Sequence, residues 1–465
     1  MKESEILPAI DASPYNHPMT QAAPALSDSL LAAARAIGAV ENGQSLTEAL
    51  LDVRPDLRPS AQSLSFYAMR HWGQAIALRR LLLDRVPQNP TIFALLGLSL
   101  LLLEVALSDP AERDATAPTY TAHTLVDQAV QATQGQRDTL NFKGLVNAIL
   151  RRFQRERTAL LSQLAQDPEA KYNHPMWWIE ALQTAYPQDW QRLLETANAH
   201  PPLTLRVNLR ATTREAVEQA FAAAGIVSTA FGVAGLVLDV PRPIASLPGY
   251  AQGWWSVQDA GAQLAAPLLE LKDGMRVLDA CAAPGGKTAH MLELAQLKLT
   301  ALDIDNARMA RVEQNLERLG LLNDDVELIA ESAMRAHTWW DGKPFDAVLA
   351  DVPCTASGIV RRHPDIRWLR RVTDLKPTAK LQREILDSLW SLVAPGGKLL
   401  LVTCSIFPQE CELQAQAFLK RHAQAVRLPA PGQLLPCLAD AEHPAGQDGF
   451  FYALFSRQVE VLGTR

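Results

Sequence analysis

The chain has 465 residues, of which 48% are hydrophobic and 20% charged. That is the balance of an ordinary globular protein of about three domains, and it excludes a disordered chain. Lys and Arg total 44 against 50 Asp and Glu, a formal charge of −6, so a protein that grips nucleic acid through overall positive charge is excluded and any such surface must be a local basic patch.

Residues 1–25 hold Pro8, Pro14, Pro18 and Pro24 without periodicity and read as a flexible extension. Lys2 is followed by Glu3 and Glu5, with no apolar stretch suited to a signal peptide. Residues 26–168 read as an all-α domain. Leu30, Ala33, Ile37 and Val40 recur at helical spacing behind Ser27 and Asp28 as caps. The longest apolar run, Ile92 to Leu103, stops at Glu104. Too short to cross a bilayer, it reads as a buried helix, and no membrane is expected as a partner. A strong helix follows from Asn141 to Arg157, with Leu145, Ile149 and Phe153 on one face. Arg151, Arg152, Arg155 and Arg157 crowd its end and form one candidate RNA-binding patch.

Residues 173–245 read as a small α+β connector. Two Trp-rich helical patterns (Trp177, Trp178, Trp190) precede a strand from Leu203 to Leu209, a helix from Arg214 to Ala224 and a strand from Leu236 to Val240. Pro241, Pro243 and Pro248 close it. From 246 to 465, strands alternate with helices: Arg276–Asp279, Leu299–Asp303, Val326–Ile329, Asp346–Asp351, Lys398–Thr403 and Phe450–Phe455. This alternation predicts a Rossmann-like, doubly wound α/β domain with a mostly parallel sheet.

The first of these strands ends in Asp279 and runs into Cys281-Ala282-Ala283-Pro284-Gly285-Gly286-Lys287-Thr288. Small residues after a first strand let a ligand approach the backbone. A phosphate loop of the GxxxxGK[ST] type would need glycine at position 281, where Cys281 stands, and GxGxxG is absent. The second strand ends at Asp303, placed to accept hydrogen bonds from ribose hydroxyls. Glycine loop and acid together predict an adenosine-type cofactor; the competing reading is that Asp303 or Asp305 only caps the next helix.

The five cysteines are Cys281, Cys354, Cys404, Cys411 and Cys437. The odd count without a CxxC pair argues against a disulfide scaffold or a zinc site, so no metal and a reducing cytoplasm are expected. Two of them end strands: Asp351-Val352-Pro353-Cys354 follows the fourth and Thr403-Cys404-Ser405 the fifth. If those strands are neighbours, about 4.8 Å apart, both thiols overlook the same crevice as the glycine loop. A thiolate added to carbon 6 of a cytosine turns the ring into an enamine whose carbon 5 attacks an electrophilic methyl. Asp351 stands where an acid can hold the ring nitrogen. A second cysteine can then assist elimination.

Taken together, Asp279–Thr288, Asp303, Asp351–Cys354, Arg361–Asp365, Thr403–Ser405 and Asp448-Gly449-Phe450-Phe451 resemble the bacterial RNA cytosine-5 methyltransferases. The stretch Gly144 to Arg152 resembles the closing helix of a NusB-type RNA-binding domain, which points to the members that act on 16S ribosomal RNA. The resemblance implies S-adenosylmethionine as cofactor and Cys404 as nucleophile, with Cys354 assisting product release. It also implies that Cys281 to Lys287, Asp303 and Asp351 surround the cofactor. The third strand ends Glu331-Ser332, where the family usually has Asp at the position of Ser332.

Seven residues beyond Cys354, the segment 361–371 holds Arg361, Arg362, Arg367, Arg370 and Arg371 with Trp368 and one acid, Asp365. Arginines contact phosphates and stack on bases, so Arg361, Arg362 and Arg367 are expected to bind RNA, together with Arg151 and Arg152. Lys287 is placed to steer the substrate or pair with Asp351. The expected partner is 16S ribosomal RNA or a small-subunit assembly intermediate, met by a monomer. The alternatives are cytosine-5 methylation of another RNA, and a non-catalytic RNA-binding assembly factor. A uracil-5 enzyme would leave Cys354 unexplained, and a DNA-type enzyme would use the Pro-Cys thiol and leave Cys404 incidental.

Overall fold

The structure is a computed structural model that describes residues 24–459 apart from 112 and 115, so nearly all of the 1–25 extension lies outside the described residues. Residues 26–172 are helical. The helix Pro90–Leu107 runs through the centre of this domain, started by Pro90 and by the Asn89 side chain accepting from the Ile92 amide at 3.1 Å. At 18 residues it is long and apolar enough to cross a membrane, contrary to the length expected from its apolar run, but 67% of it is buried inside the domain. Gly97 makes room for the Trp72 ring, which a Cβ there would meet at 2.8 Å. The first helix, Leu26–Glu41, has no side-chain cap, and Ser27 and Asp28 lie inside its first turn rather than ahead of it. The helix expected to end at Arg157 is Lys143–Leu164, so its arginines sit mid-helix.

The helices Met176–Ala185 and Trp190–Asn198 lead into an antiparallel four-stranded sheet. Its strands are β1 (Leu203–Val207), β2 (Ser228–Phe231), β3 (Gly235–Leu238) and β4 (Trp255–Val257), ordered β2-β3-β1-β4. The helix Arg214–Ala223 buries Val217 and Phe221 against Leu205, Leu236 and Trp255. Two of these strands, β2 and β4, were not expected, and β4 joins from beyond residue 245.

The C-terminal sheet has seven strands: β5 (Arg276–Asp279), β6 (Lys298–Asp303), β7 (Val326–Ala330), β8 (Phe345–Asp351), β9 (Val393–Thr403), β10 (Ala425–Leu434) and β11 (Phe450–Arg457). The order is β10-β11-β9-β8-β5-β6-β7, with β5 to β9 parallel and β10 and β11 antiparallel. Apolar layers cover both faces: Val277, Leu299, Leu349 and Leu400 on one, Leu278, Leu302, Val348 and Leu401 on the other. Burial on two faces explains the near-continuous apolar runs of β6, β8 and β9. The sheet reverses direction of winding at β5, between β8 and β6, and ligands of such sheets bind beyond the carboxyl ends of the strands at this switch point.

Candidate active site

The loop from Cys281 to Lys287 leaves the carboxyl end of β5 at that switch point. Gly285 takes a φ of +94°, where a side chain would be strained, and its Cβ would lie 3.1 Å from Val312. Nothing lies within 4 Å of a Cβ placed on Gly286, so the backbone that opens the helix Gly286–Leu294 has free space in front of it. Asp303, only 4% exposed, accepts from the Ala283 amide at 3.2 Å through Oδ2 and from the Asp305 amide at 3.1 Å through Oδ1. Asp305 is the residue that caps the next helix, accepting from Arg308 N at 2.9 Å. The helix-capping role therefore falls to Asp305 and not to Asp303. Asp279 is buried, with Oδ2 accepting the Thr288 hydroxyl at 2.7 Å and Oδ1 without a partner. Burial pushes its carboxyl up to about 7.

Buried acceptors, an open amide-lined loop and one orphaned carboxylate oxygen form a site that fits an adenosine-type ligand. Ile304, directly after Asp303, is 71% exposed, an isolated apolar face beside the loop that the sequence reading passed over. Directly after β7, Ser332 is buried and Glu331 is turned to its own neighbours, accepting from Ser332 N at 2.7 Å and from Arg335 at 2.5 Å.

The strands β8 and β9 are parallel neighbours in the register Asp351 to Val402. Their loops bring Cys354 Sγ and Cys404 Sγ to 3.4 Å, and both cysteines are free and half-buried. The hydrogen bond with Cys404, then burial, push the Cys354 thiol well above its ordinary range. Lys287 Nζ lies 2.5 Å from Asp351 Oδ2 and joins the glycine loop to the thiol-bearing strand end. Burial pulls this ammonium down, but Asp351 outweighs it and the net shift is upward. Of the other cysteines, Cys281 and Cys411 are pushed up by burial and are inert thiols as they stand.

Residues 266–456 match the model of the family described as 16S rRNA methyltransferase RsmB/F, and residues 174–245 match the RsmF/B-like ferredoxin-like domain. The Ribosomal RNA small subunit methyltransferase B of Vibrio vulnificus is 38% identical over 433 residues, covering 90% of this chain and 97% of its own. The chain belongs to the RsmB/F family of 16S rRNA methyltransferases. The corresponding protein of Pseudomonas syringae is 46% identical over 341 residues, covering 70% of this chain and 75% of its own. Among solved structures, PH0851 superposes with a TM-score of 0.74 at 25% identity, covering 94% of this chain and 100% of that one. A methyltransferase homologue from Pyrococcus horikoshii gives 0.53 at 26% identity over 63% of this chain and 98% of that one. Family membership makes the chain an enzyme and removes the non-catalytic assembly factor as a reading.

In this methyltransferase the arginine run 361–371 is not an exposed clamp, and the expected RNA contacts of Arg361, Arg362 and Arg367 are corrected. Arg361, 1% exposed, is paired with Asp448 and donates to Cys437 O at 3.1 Å. Arg362 bridges Asp448 at 2.5 Å, Asp259 at 2.8 Å and Pro202 O at 3.0 Å. Arg367, fully buried, donates to Asn173 O at 3.1 Å, Ala197 O at 2.7 Å and the Asn198 side chain. Most of their donors are taken up inside the protein, Arg361 Nη2 and Arg367 Nε being buried without a partner, because the segment is wedged between the three domains. Asp365 accepts from Leu46 N at 2.9 Å, Arg70 donates to Arg361 O at 2.9 Å and Trp368 to Met69 O at 2.9 Å. Only Arg371 of the run is exposed, and Arg370 holds Thr355 O at 3.1 Å. On the helix Lys143–Leu164, Arg151 is exposed and Arg152 lies 3.1 Å from Glu156.

Proposed function

We propose that this enzyme methylates carbon 5 of a cytosine in 16S ribosomal RNA, alone or within a small-subunit assembly intermediate, with S-adenosylmethionine as donor. The observation that carries this reading is the pair of free thiols 3.4 Å apart at adjacent strand ends, beside the glycine loop. When bound, S-adenosylmethionine supplies an electrophilic methyl group. The residues that would hold it are Cys281 to Lys287 and Asp303, with Asp351 at the border to the base.

Cys404 acts as the nucleophile. Its sulfur bonds to carbon 6, the electrons of the 5,6 double bond move to carbon 5, and carbon 5 becomes methylated. The proton on carbon 5 must then leave, its electron pair restoring the double bond as the sulfur–carbon 6 bond breaks and Cys404 regains a thiolate. Cys354 is the nearest proton-exchanging group to that sulfur and assists this release. Asp351, paired with Lys287, accepts a hydrogen bond from the base in this reading. An acceptor suits the exocyclic amine of cytosine, where uracil offers only a carbonyl. The Lys287 ammonium provides the donor toward the ring nitrogen. A base in structured RNA must be flipped out to reach these groups. For the helical region 26–168 we propose RNA docking, with Arg151 and Arg152 on its surface.

The test is transfer of labelled methyl to unmodified 16S RNA by wild type, Cys404→Ala and Cys354→Ala. The expected result is no transfer by Cys404→Ala and an accumulated protein–RNA adduct with Cys354→Ala. An active Cys404→Ala beside a dead, adduct-free Cys354→Ala would reverse the roles of the two thiols.

A further inference from the structure

The ladder between β8 and β9 does not by itself place the two sulfurs. The last paired residues are Asp351 and Val402, and both chains leave the sheet before reaching Cys354 and Cys404. A sulfur-to-sulfur distance of 3.4 Å between loops fifty residues apart needs a further constraint.

That constraint is a buried carboxylate. Glu410 ends the single turn Pro408–Glu410 after β9 and is 0% exposed. Its Oε1 accepts from Thr355 N at 2.9 Å, and its Oε2 accepts from Thr355 Oγ1 at 2.6 Å and from Ser405 Oγ at 2.5 Å. Thr355 directly follows Cys354, and Ser405 directly follows Cys404. One side chain thus ties together the residues after each thiol. The tie is reinforced by Ser357 Oγ, 2.9 Å from Ser405 Oγ and accepting from Ile406 N at 2.9 Å, and by Gly358 N donating to Cys404 O at 2.8 Å. Burying a carboxylate is costly unless donors surround it. Here three donors do, and burial pushes the carboxyl upward, towards the neutral form.

We propose that Glu410 is a positioning residue for the two-thiol chemistry, a clamp whose hydrogen bonds to Thr355 and Ser405 hold Cys354 and Cys404 in apposition. The proposal rests on the thiol roles assigned above. Glu410 touches neither RNA nor cofactor in this role, so its loss should act on turnover and not on binding.

The test uses the full chain with Glu410→Ala, Glu410→Gln and Thr355→Val. Two quantities are measured: kcat and KM for methyl transfer to 16S RNA, and the rate at which diamide joins Cys354 to Cys404 without RNA present. In the second, two thiols are oxidised to one disulfide while the azo bond of diamide is reduced to a hydrazine, and peptide mass mapping identifies the pair. A misplacement of about 1 Å costs about 100-fold in rate, so Glu410→Ala should lower kcat by that order with the KM for RNA unchanged and should slow the disulfide. Glu410→Gln keeps an acceptor for the Thr355 amide, and the two hydroxyls reorient toward its amide nitrogen. It should restore both quantities to within about fivefold, the worth of one hydrogen bond. Thr355→Val removes one leg of the clamp and should lower kcat about fivefold, which keeps the test open if Glu410→Ala does not fold. Unchanged kcat and disulfide rate in Glu410→Ala or Thr355→Val would overturn the proposal, as would a Glu410→Gln as damaged as Glu410→Ala. The disulfide rate needs no catalysis, so failure of the thiol roles and failure of the clamp give different results.

Discussion

Two arginine-rich stretches meet opposite fates in this enzyme. On the helix Lys143–Leu164, Arg151 and Arg155 are exposed, Arg151 touches only the Gln154 amide at 3.2 Å, and Arg155 has no ion-pair partner among the described residues. In 361–371, Arg361 and Arg367 are interior, and most of their donors point at a carboxylate, an amide or a backbone carbonyl of another segment, while Arg361 Nη2 and Arg367 Nε are buried without a partner. The guanidinium suits both uses, because its planar fork binds phosphate on a surface and knits carbonyls in an interior. What separates the two is the neighbourhood. A helix flank with a polar face leaves arginines in water, whereas a segment that fills the junction of three domains must satisfy its own backbone and borrows guanidinium groups to do so. Arginine density close to a reactive residue is therefore no measure of substrate contact.

The sharpest way to break this comparison is Arg361→Met. Removing one partner of a buried pair costs about 3–5 kcal/mol, and since Asp448 keeps Arg362, the lower end is expected. Denaturant unfolding should register that loss while RNA affinity of the folded fraction stays at the wild-type value. Intact stability with weakened RNA binding would return Arg361 to the surface role first expected of it.

The same junction carries a pH signature. His71 stacks on Tyr67 at 4.6 Å, and its Nε2 is sealed without a partner. Burial pulls its pKa down to about 4 against the upward pull of Asp114, with smaller downward pulls from Arg70, Arg367 and His200. The folded state holds this ring neutral while the unfolded chain protonates it near 6.5, so the unfolded state binds more protons in between. Stability from this group is complete above 6.5 and falls as pH drops towards 4, by no more than about 3 kcal/mol. His71→Gln should flatten the wild-type slope over that window in urea titrations at pH 4 to 7. An unchanged slope would mean that the ring is solvated and the junction looser than described.

Much of this architecture was legible in the sequence for a physical reason. Parallel strands buried on both faces leave dense apolar runs, and β5, β6, β8 and β9 were found with their carboxyl ends correct, which sufficed to predict that Cys354 and Cys404 face one crevice. The missed strand β10 is an edge strand, paired only with β11 and carrying Pro429, Pro431 and Gly432, so it lacks the β signature. The short β2 and β4 offer too few alternating residues to stand out. Glu410 was invisible because Thr355, one of its two partners, sits on a loop 55 residues away and a lone glutamate after a strand reads as surface. The burial of Arg361 and Arg367 was hidden likewise, since Asp448, Asn198 and the carbonyls that receive them are distant in sequence.

The exposed cluster supports the smallest expected effect and the other half of the comparison. Arg151 and Arg155 lie four residues apart on one helix flank, the spacing that puts two side chains side by side. If that flank meets RNA, each guanidinium that neutralises a phosphate adds about 0.7–0.9 to the slope of log affinity against log salt. Arg151→Ala with Arg155→Ala should then lower that slope by about 1.5 and weaken 16S RNA binding at low salt. Stability should move by less than about 1 kcal/mol, because surface positions without committed partners contribute little. Arg152→Ala, on the same proposed docking surface, should lower the slope by less than about one further unit, because its guanidinium is shared with Glu156, a pair worth about 0.3–0.5 kcal/mol, and with Leu82 O at 3.3 Å. A salt slope unmoved by the double variant would leave the arginines of the helix Lys143–Leu164 without an RNA role. The affinity would then have to come from Arg371 and the other cations around the thiol crevice.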